Sequence, residues 1–244
     1  MGVLKTLTDE YFGEDIRKED LIDIFDLDVE IVSFTDKNGK FHKHGYRVID
    51  GDLNEMAKTL KTLIKRIIEK REPECSLNDI DVSNIKKMCF EENDTYGVFD
   101  GSPFNGDISG WDVSSVENMS GMFWGAKYFN QPLDKWNVSN VEDMSFMFEG
   151  AKSFNQDISG WNVSNVKNMH TMFHDAESFN QPLDKWGDKL SKVKNMYFMF
   201  FGAKSFNQPL DNWDVSSVES MYGMFNDTLL KKNKKLPKWY LDRQ

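Results

Sequence analysis

The sequence has little of what secreted and membrane-spanning proteins need. Only two of its 244 residues are cysteine, Cys75 and Cys89, so a framework of disulfides cannot hold the chain together. No segment reaches the roughly 18 consecutive apolar residues of a membrane span. Residues 1–20 carry acidic side chains where a signal peptide has an apolar stretch, and they offer no cysteine that could accept a lipid. We therefore expect a cytoplasmic protein.

Basic side chains are outnumbered by acidic ones. Lysine and arginine number 30 against 40 aspartates and glutamates, which gives a formal net charge of −10. Residues 76–228 are the most acidic part, with 11 basic and 22 acidic side chains, whereas residues 229–244 hold 6 basic and 1 acidic. Because binding to nucleic acid depends on lysine and arginine that neutralise phosphates, direct nucleic-acid binding is not expected. The acidic charge favours a protein partner with a basic surface.

Aromatic residues, by contrast, make up 14% of the chain, and most of them repeat. Five tryptophans follow one another at intervals of 25, 25, 25 and 27 residues, and a Phe-Asn pair precedes each of them. Such a period is typical of a solenoid, in which each repeat buries its apolar face against its neighbours. We interpret both sets as structural: the tryptophans are Trp111, Trp136, Trp161, Trp186 and Trp213, and the asparagines are Asn105, Asn130, Asn155, Asn180 and Asn207.

Each repeat is predicted to contain one extended segment and one short helix. Phe129 to Leu133, with the sequence FNQPL, has the alternation of an extended segment. Val116, Met119, Met122 and Phe123 are spaced as one face of about two turns of helix. The fold class that we expect is therefore an α+β repeat solenoid.

The repeats fade at both ends. Residues 77–88 keep the apolar spacing of a repeat in degenerate form, and Leu236 and Trp239 keep it after the last full copy. We expect one degenerate and five recognisable repeats over residues 76–228, and a basic C-terminal cap over residues 229–244.

Residues 1–75 do not repeat. Two β-rich runs flank Asn38-Gly39, a strong hairpin turn, and an amphipathic helix should follow with Asp52 as its N-cap and end before Pro73. Residues 9–26 suggest one or two short acidic helices before the hairpin. The segment is either a cap on the first repeat or a small α+β domain of its own.

The repeat FNQDISGWNVSNVKNMHTMFHDA resembles the 25-residue repeat of mycoplasma-type surface lipoproteins, which belongs with the BspA-like leucine-rich-repeat proteins. The resemblance covers residues 76–228. It implies a right-handed, leucine-rich-repeat-like solenoid and a role in binding or adhesion rather than catalysis. The surface location does not follow, because the sequence shows neither a signal peptide nor a lipobox.

Candidates for metal or catalytic chemistry are weak. His42 and His44 share a strand face, and His170 and His174 are four residues apart, but neither pair has the further ligands of a metal motif. The two cysteines have no nearby histidine to activate them. We expect no metal, no cofactor and no enzymatic activity.

A stronger signal comes from aromatic residues at positions that the repeat does not fix. They fall between or just after the buried methionines and phenylalanine, so they should point away from the core, and exposed aromatics often anchor protein interfaces. Coverage by the N-terminal segment, by a second protomer or by lateral packing is the alternative. The predicted protein-binding residues are Trp124, Tyr128, Phe146, Tyr197, Phe198, Phe201 and Tyr222, with Glu149 in the position that Trp124 and Phe201 hold in other repeats.

These observations favour a non-enzymatic module that binds another protein through acidic groups and exposed aromatics. A sharper hypothesis makes it an inhibitor or decoy that blocks the basic channel of a nucleic-acid-processing enzyme. The alternative is a cell-surface adhesin of the BspA-like kind. The sequence does not specify the oligomeric state.

Overall fold

The computed structural model describes residues 22–24, 26–49, 51–90 and 96–243. The short acidic helices predicted over residues 9–26 fall mainly outside these ranges. One continuous cluster of buried side chains extends from Ile22 to Tyr240, so the N-terminal elements and the repeats share a hydrophobic core.

The predicted hairpin is present. Strand β1 (Val29–Thr35) pairs antiparallel with β2 (Phe41–Val48), and the register shifts between Val32 and Phe34. In the turn, the Asp36 carboxylate accepts hydrogen bonds from the backbone N–H groups of Asn38 and Lys40, at 3.0 and 2.9 Å. Strand β3 (Ile80–Asp81) pairs parallel with β2, which gives a three-stranded sheet in the order β1-β2-β3.

Helix α1 (Leu53–Arg71) follows the hairpin and ends before Pro73, as the sequence predicts. The Asp52 side chain caps it by accepting from the N–H groups of Asn54 and Glu55. Its apolar face is buried, with Leu60, Leu63, Ile64 and Ile67 among its fully enclosed residues. Beyond it, β4 (Cys89–Phe90) and β5 (Tyr96–Gly97) form a two-stranded antiparallel sheet.

The helix predicted within each repeat is wrong. Residues 118–126 and their equivalents in later repeats, which we call the turn segment, are a series of turns. Every second N–H group donates to the carbonyl three residues earlier in the same repeat, as Met122 N–H does to Met119 O. The N–H groups between them donate to carbonyls of the next repeat, as Phe123 N–H does to Met147 O at 2.9 Å. Positive φ angles at Gly121 and Gly125 also break the α conformation. The buried methionines and phenylalanine keep the predicted apolar spacing without a helix.

Equivalent residues of consecutive repeats lie against one another in columns. Consecutive phenylalanines of the turn segments, from Phe123 to Phe225, stack at 5.4, 5.6, 5.4 and 5.8 Å between ring centroids. Each repeat tryptophan donates its indole N–H to a buried carbonyl of the repeat before, as Trp161 does to Leu133 O at 2.9 Å. The repeat asparagines are linked as well, since the Asn130 side chain accepts from the backbone N–H of Asn155 at 2.9 Å.

The two extra residues of the fourth repeat lie in a 3₁₀ helix, Asp184–Lys189. At the N-terminal end, the hairpin turn meets the first repeat through Lys37 N–H to Gly110 O, at 3.0 Å. Two short helices end the chain, α2 (Leu229–Lys232) and α3 (Lys238–Leu241). Trp239 continues the tryptophan column, because its indole donates to Leu210 O at 2.8 Å.

Candidate protein-binding surface

The turn segment determines which side chains of a repeat reach the surface. Its methionines and phenylalanine are buried in every repeat. Three other positions, those of Ser120, Gly121 and Trp124, differ between repeats, and their exposure depends on the residue: Ser120 is buried, whereas Tyr222 at the same position is exposed. The first position is occupied in order by Ser120, Ser145, His170, Tyr197 and Tyr222, the second by Gly121, Phe146, Thr171, Phe198 and Gly223, and the third by Trp124, Glu149, His174, Phe201 and Asn226.

Rings at these positions join into two clusters. In the first, Trp124 lies 5.8 Å from Tyr96 and 6.3 Å from Phe146, whose ring meets His170 edge-on at 4.2 Å. Tyr96, in β5, is 40% exposed. The first cluster therefore starts from the two-stranded sheet and crosses the turn segments of the first three repeats.

The second cluster is larger and more exposed. The Phe198 ring lies 4.0 Å from Tyr197, 5.0 Å from Phe201 and 5.8 Å from Tyr222. His174 lies 5.2 Å from Phe201. Tyr222 is 69% exposed and Tyr197 37%. We call the two clusters together the aromatic surface: Tyr96, Trp124, Phe146, His170, His174, Tyr197, Phe198, Phe201 and Tyr222.

Part of this surface is built on an unfavourable backbone. Phe146, Thr171 and Phe198 have φ angles of 57°, 59° and 54°. Bulky and β-branched residues rarely adopt this left-handed region, which costs roughly 1–2 kcal/mol per residue. The first and fifth repeats have glycine here, at Gly121 and Gly223, so the repeat itself does not require a side chain. Backbone strain of this kind is concentrated at functional sites.

Phe198 is also fitted to its neighbour. Its ring atoms lie 2.2 and 2.5 Å from where a Cβ of Gly223 would be, so that glycine makes room for the ring. The phenyl group therefore packs on the backbone of the last repeat and holds the second cluster in place.

Glu149 and His174 form an ion pair between the two clusters. Glu149 Oε1 lies 3.2 Å from His174 Nδ1, and this hydrogen bond raises the pKa of His174. Among the described residues, Glu149 Oε2 is buried without a hydrogen-bond partner. His170 differs, because burial lowers its pKa and its Nδ1 lies 3.0 Å from the Thr171 hydroxyl. At neutral pH the surface thus presents an uncharged imidazole beside one that is held by a carboxylate.

Seven of the eight residues proposed from the sequence lie in or beside the aromatic surface. Tyr128 does not: it is 64% exposed, but none of the ring contacts among the described residues involves it. Tyr96 was not predicted from the sequence, because an insertion displaces it from the repeat spacing. His170 and His174, which the sequence presents only as a weak candidate metal pair, are both half-buried and pack against phenylalanines.

The acidic groups lie elsewhere in the repeat. Exposed aspartates stand just before the tryptophans, at Asp134, Asp184 and Asp211, and Asp157 precedes Trp161 by four residues. Glutamates near the turn segment are paired with lysines of adjacent repeats: Glu117 with Lys86, Glu142 with Lys167 and Glu219 with Lys194, at 2.9, 2.7 and 3.2 Å. Aromatic side chains and these exposed aspartates therefore form separate columns.

No three histidine, cysteine, aspartate or glutamate side chains of the described residues lie together as a metal site would require. His42 Nε2 instead contacts the buried Asp36 carboxylate at 2.9 Å, within the hairpin. Cys75 and Cys89 are free thiols, and burial raises the pKa of Cys75. None of the helices within the described ranges has the length and apolar character to cross a membrane.

Comparison with known families identifies the family to which the repeats belong. A family model described as “Mycoplasma protein of unknown function, DUF285” matches residues 93–190 and 188–243, more than half of the chain. The chain belongs to this family. Neither the curated proteins nor the solved structures gave a match.

The family match coincides with the part of the chain that carries the aromatic surface. It begins at residue 93, so β1, β2 and α1 lie outside it. Its two ranges meet at residues 188–190, in the repeat that carries the 3₁₀ helix and the two extra residues. The DUF285 part therefore supplies every member of the surface, and the N-terminal elements supply none.

Proposed function

We propose that this protein is a non-enzymatic module that binds another protein through its aromatic surface. The single observation that carries the proposal is that Phe146 and Phe198 occupy positive-φ positions where other repeats have glycine. Glycine at Gly121 and Gly223 shows that stacking of the repeats does not require a bulky side chain at this position. A binding role explains one, because aromatic side chains anchor protein interfaces.

The architecture in this proposal is a right-handed, leucine-rich-repeat-like solenoid with terminal caps. Its support is the regular crossing of backbone hydrogen bonds between equivalent residues, together with parallel bridges that link Asn118, Asp143, Asn168, Asn195 and Ser220 in turn. A rigid stack of this kind would hold the two ring clusters in a fixed arrangement, so little conformational entropy would be lost on binding.

The partner that we propose has a basic region beside its apolar contact. The acidic excess of residues 76–228 supports this choice, and the exposed aspartate column would steer such a partner towards the array. The narrower hypothesis is an inhibitor or decoy that covers the basic channel of a nucleic-acid-processing enzyme. A cytoplasmic location fits the two free thiols. Recovery of the protein outside the cell would instead favour an adhesin.

The test replaces six aromatic residues of the surface with residues that already occupy the same positions in other repeats, so that the fold should persist. The slot-swapped variant carries Trp124→Asn, Phe146→Gly, Tyr197→Ser, Phe198→Gly, Phe201→Asn and Tyr222→Ser. Its matched control is Tyr128→Ser, which replaces an exposed aromatic outside the surface with the serine of equivalent positions Ser153, Ser178 and Ser205. Circular dichroism and thermal unfolding establish that both variants are folded.

Quantitative affinity capture from native lysate then compares the variants with the wild-type chain. Loss of several aromatic anchors should weaken partner retention by about a hundredfold or more, while Tyr128→Ser should leave it unchanged. If the folded slot-swapped variant retains the same partners at the same affinity, the proposed function is wrong. A salt titration tests whether electrostatic attraction contributes to binding. If partner retention is the same at low and high salt, the proposal of a basic partner steered by the acidic array is wrong.

A further inference from the structure

The last repeat leaves its hydrogen-bonding edge open. In the fourth repeat, the N–H groups of Met196, Phe198, Phe200 and Gly202 donate to carbonyls of the fifth, at 2.7, 3.1, 3.0 and 2.9 Å. The equivalent donors of the fifth repeat are the N–H groups of Met221, Gly223, Phe225 and Asp227. Within the described ranges, none of these four has an acceptor.

Three of the four donors belong to buried residues. Met221 is 7% exposed and Phe225 0%, and Gly223 is buried too, whereas Asp227 is exposed. Buried backbone N–H groups without a partner are rare in folded proteins, because burial removes the water that would otherwise bind them. Four backbone donors without an acceptor among the described residues, spaced two residues apart, resemble the edge of a strand, which readily pairs with another chain.

The C-terminal cap covers only the other half of this repeat. Leu230 N–H donates to Phe206 O at 2.8 Å, and the Trp239 indole covers Leu210. Tyr240 packs edge-on against Phe225 at 4.9 Å, but no described residue of the cap supplies a carbonyl to the N–H groups of this turn segment. The cap thus completes the tryptophan column and covers Phe225, but it leaves the backbone donors of the turn side unpaired within the described ranges.

A groove of about 840 Å³ adjoins this edge at Asp227, which is the one of the four donor residues that lines it. Phe201 and Leu229 give it an apolar part, and Lys204, Lys231 and Lys232 line it with positive charge. Lys231 Nζ lies 2.6 Å from Asn226 Oδ1, and Lys204 is 3.3 Å from Glu177. The lysines of residues 231–238 form no ion pair with another described residue, so this end is locally basic although the chain as a whole is acidic.

We propose that the open edge and this groove bind an extended, acidic segment of a partner protein. Its alternate carbonyl oxygens would accept hydrogen bonds from the N–H groups of Gly223 and Asp227, as the next repeat does elsewhere in the array. Its carboxylates would pair with Lys231 and Lys232, and an apolar side chain would lie against Phe201. Tyr240 already covers the Phe225 ring. The peptide residue that would stack on Phe225 must therefore have a small side chain.

A peptide fits this site better than a nucleic acid does. Donors on every second residue match the carbonyls of an extended peptide, which point to the same side at that interval. This site shares Phe201 with the aromatic surface but adds the open edge and the groove lysines, so it goes beyond the proposed function.

The probe is a synthetic peptide that copies residues 141–150 of this chain, VEDMSFMFEG, with Phe148→Ala to avoid Tyr240. In the intact chain, carbonyls of this segment accept from the N–H groups of the first repeat, and it carries three carboxylates. Binding to the full chain is followed by fluorescence anisotropy, and the contacted backbone by amide NMR shifts. A scrambled peptide of the same composition and a single-stranded oligonucleotide serve as comparison probes.

Two charge-reversed variants locate the binding. Lys231→Glu with Lys232→Glu changes the groove, whereas Lys235→Glu with Lys238→Glu makes the same change of net charge outside it. We expect the first pair to weaken binding by about tenfold and the second by less than about twofold, because only the groove lysines contact the peptide. The amides of Gly223 and Asp227 should shift in the wild-type chain.

Four results would overturn the proposal. They are absence of peptide binding at millimolar concentration, equal binding of the scrambled peptide, equal losses in the two variants, and tighter binding of the oligonucleotide than of the peptide. Sedimentation velocity adds a further test. A dimer that forms through this edge would show that a second copy of the chain, rather than a partner protein, occupies the site, and would also overturn the proposal. The groove variants leave every member of the aromatic surface in place, so the two hypotheses fail separately.

Discussion

Asn155 offers a direct test of how the repeats are joined. Its side-chain Oδ1 accepts from the backbone N–H of Asn180 at 2.9 Å and from the Gln181 side chain at 3.1 Å. Asn155→Ala removes both bonds. Gln181 keeps a second bond to the Asn155 backbone carbonyl at 2.8 Å, but the Asn180 N–H is left without an acceptor.

The expected loss follows from these bonds. A hydrogen bond contributes about 1 kcal/mol net, and a donor left unsatisfied costs about 1–3 kcal/mol, so Asn155→Ala should lower the free energy of unfolding by about 2 kcal/mol. Asn155→Asp is the matched control, because its carboxylate can still accept from Asn180. It should lie within about 0.5 kcal/mol of the wild type, as substitutions that spare such contacts do.

Urea denaturation followed by tryptophan fluorescence measures both variants, since every repeat carries a buried tryptophan. The midpoint should fall for Asn155→Ala with little change in slope. The reasoning is refuted if Asn155→Ala is as stable as the wild type, or if Asn155→Asp is destabilised as strongly as Asn155→Ala.

Two further predictions concern the backbone and the ion pair. Gly150 has a φ of 66°, and the nearest atom to a Cβ at this position would lie 3.6 Å away. Gly150→Ala should therefore cost about 1 kcal/mol through backbone conformation alone, whereas Gly160→Ala should cause no loss, because Gly160 is exposed, has open space around it and has no positive φ. Equal thermal shifts in the two variants would contradict this. The Glu149 hydrogen bond raises the pKa of His174, so the stability of the ion pair is complete below the pKa of an unfolded histidine and is lost as pH rises through the raised value. NMR titration of the His174 ring should give a pKa above that of an ordinary histidine, and Glu149→Gln should lower it; an unchanged pKa in that variant would exclude Glu149 as the cause.

The sequence predicts the parts of the fold that depend on local chemistry. Asn38-Gly39 marks the hairpin turn, Asp52 marks the start of α1, and the spacing of Trp111 and its equivalents gives the repeat. The helix within the repeat was predicted wrongly because apolar residues at i, i+3 and i+7 also suit a series of turns. Glycine at Gly121 hints at a positive φ, but Phe146 and Thr171 at the same position conceal it.

The candidate surface was partly predictable for a related reason. Residues that vary at fixed positions of a repeat, such as Trp124 and Phe201, can be found by comparing the copies. Tyr96 lies beyond an insertion, so no copy aligns with it. The open edge at Gly223 and Asp227 depends on which half of the last repeat the cap covers, and that is a property of the folded chain alone.

The central claim is that the aromatic surface is where a partner binds, and site-specific photo-crosslinking tests it most directly. A photoreactive phenylalanine analogue is placed at Tyr222, which is 69% exposed within the surface, and separately at Phe41, which is 64% exposed in the hairpin. The captured partner should be crosslinked by the analogue at position 222 and not by the analogue at position 41. Crosslinking from position 41 alone, or equally from both, would contradict it.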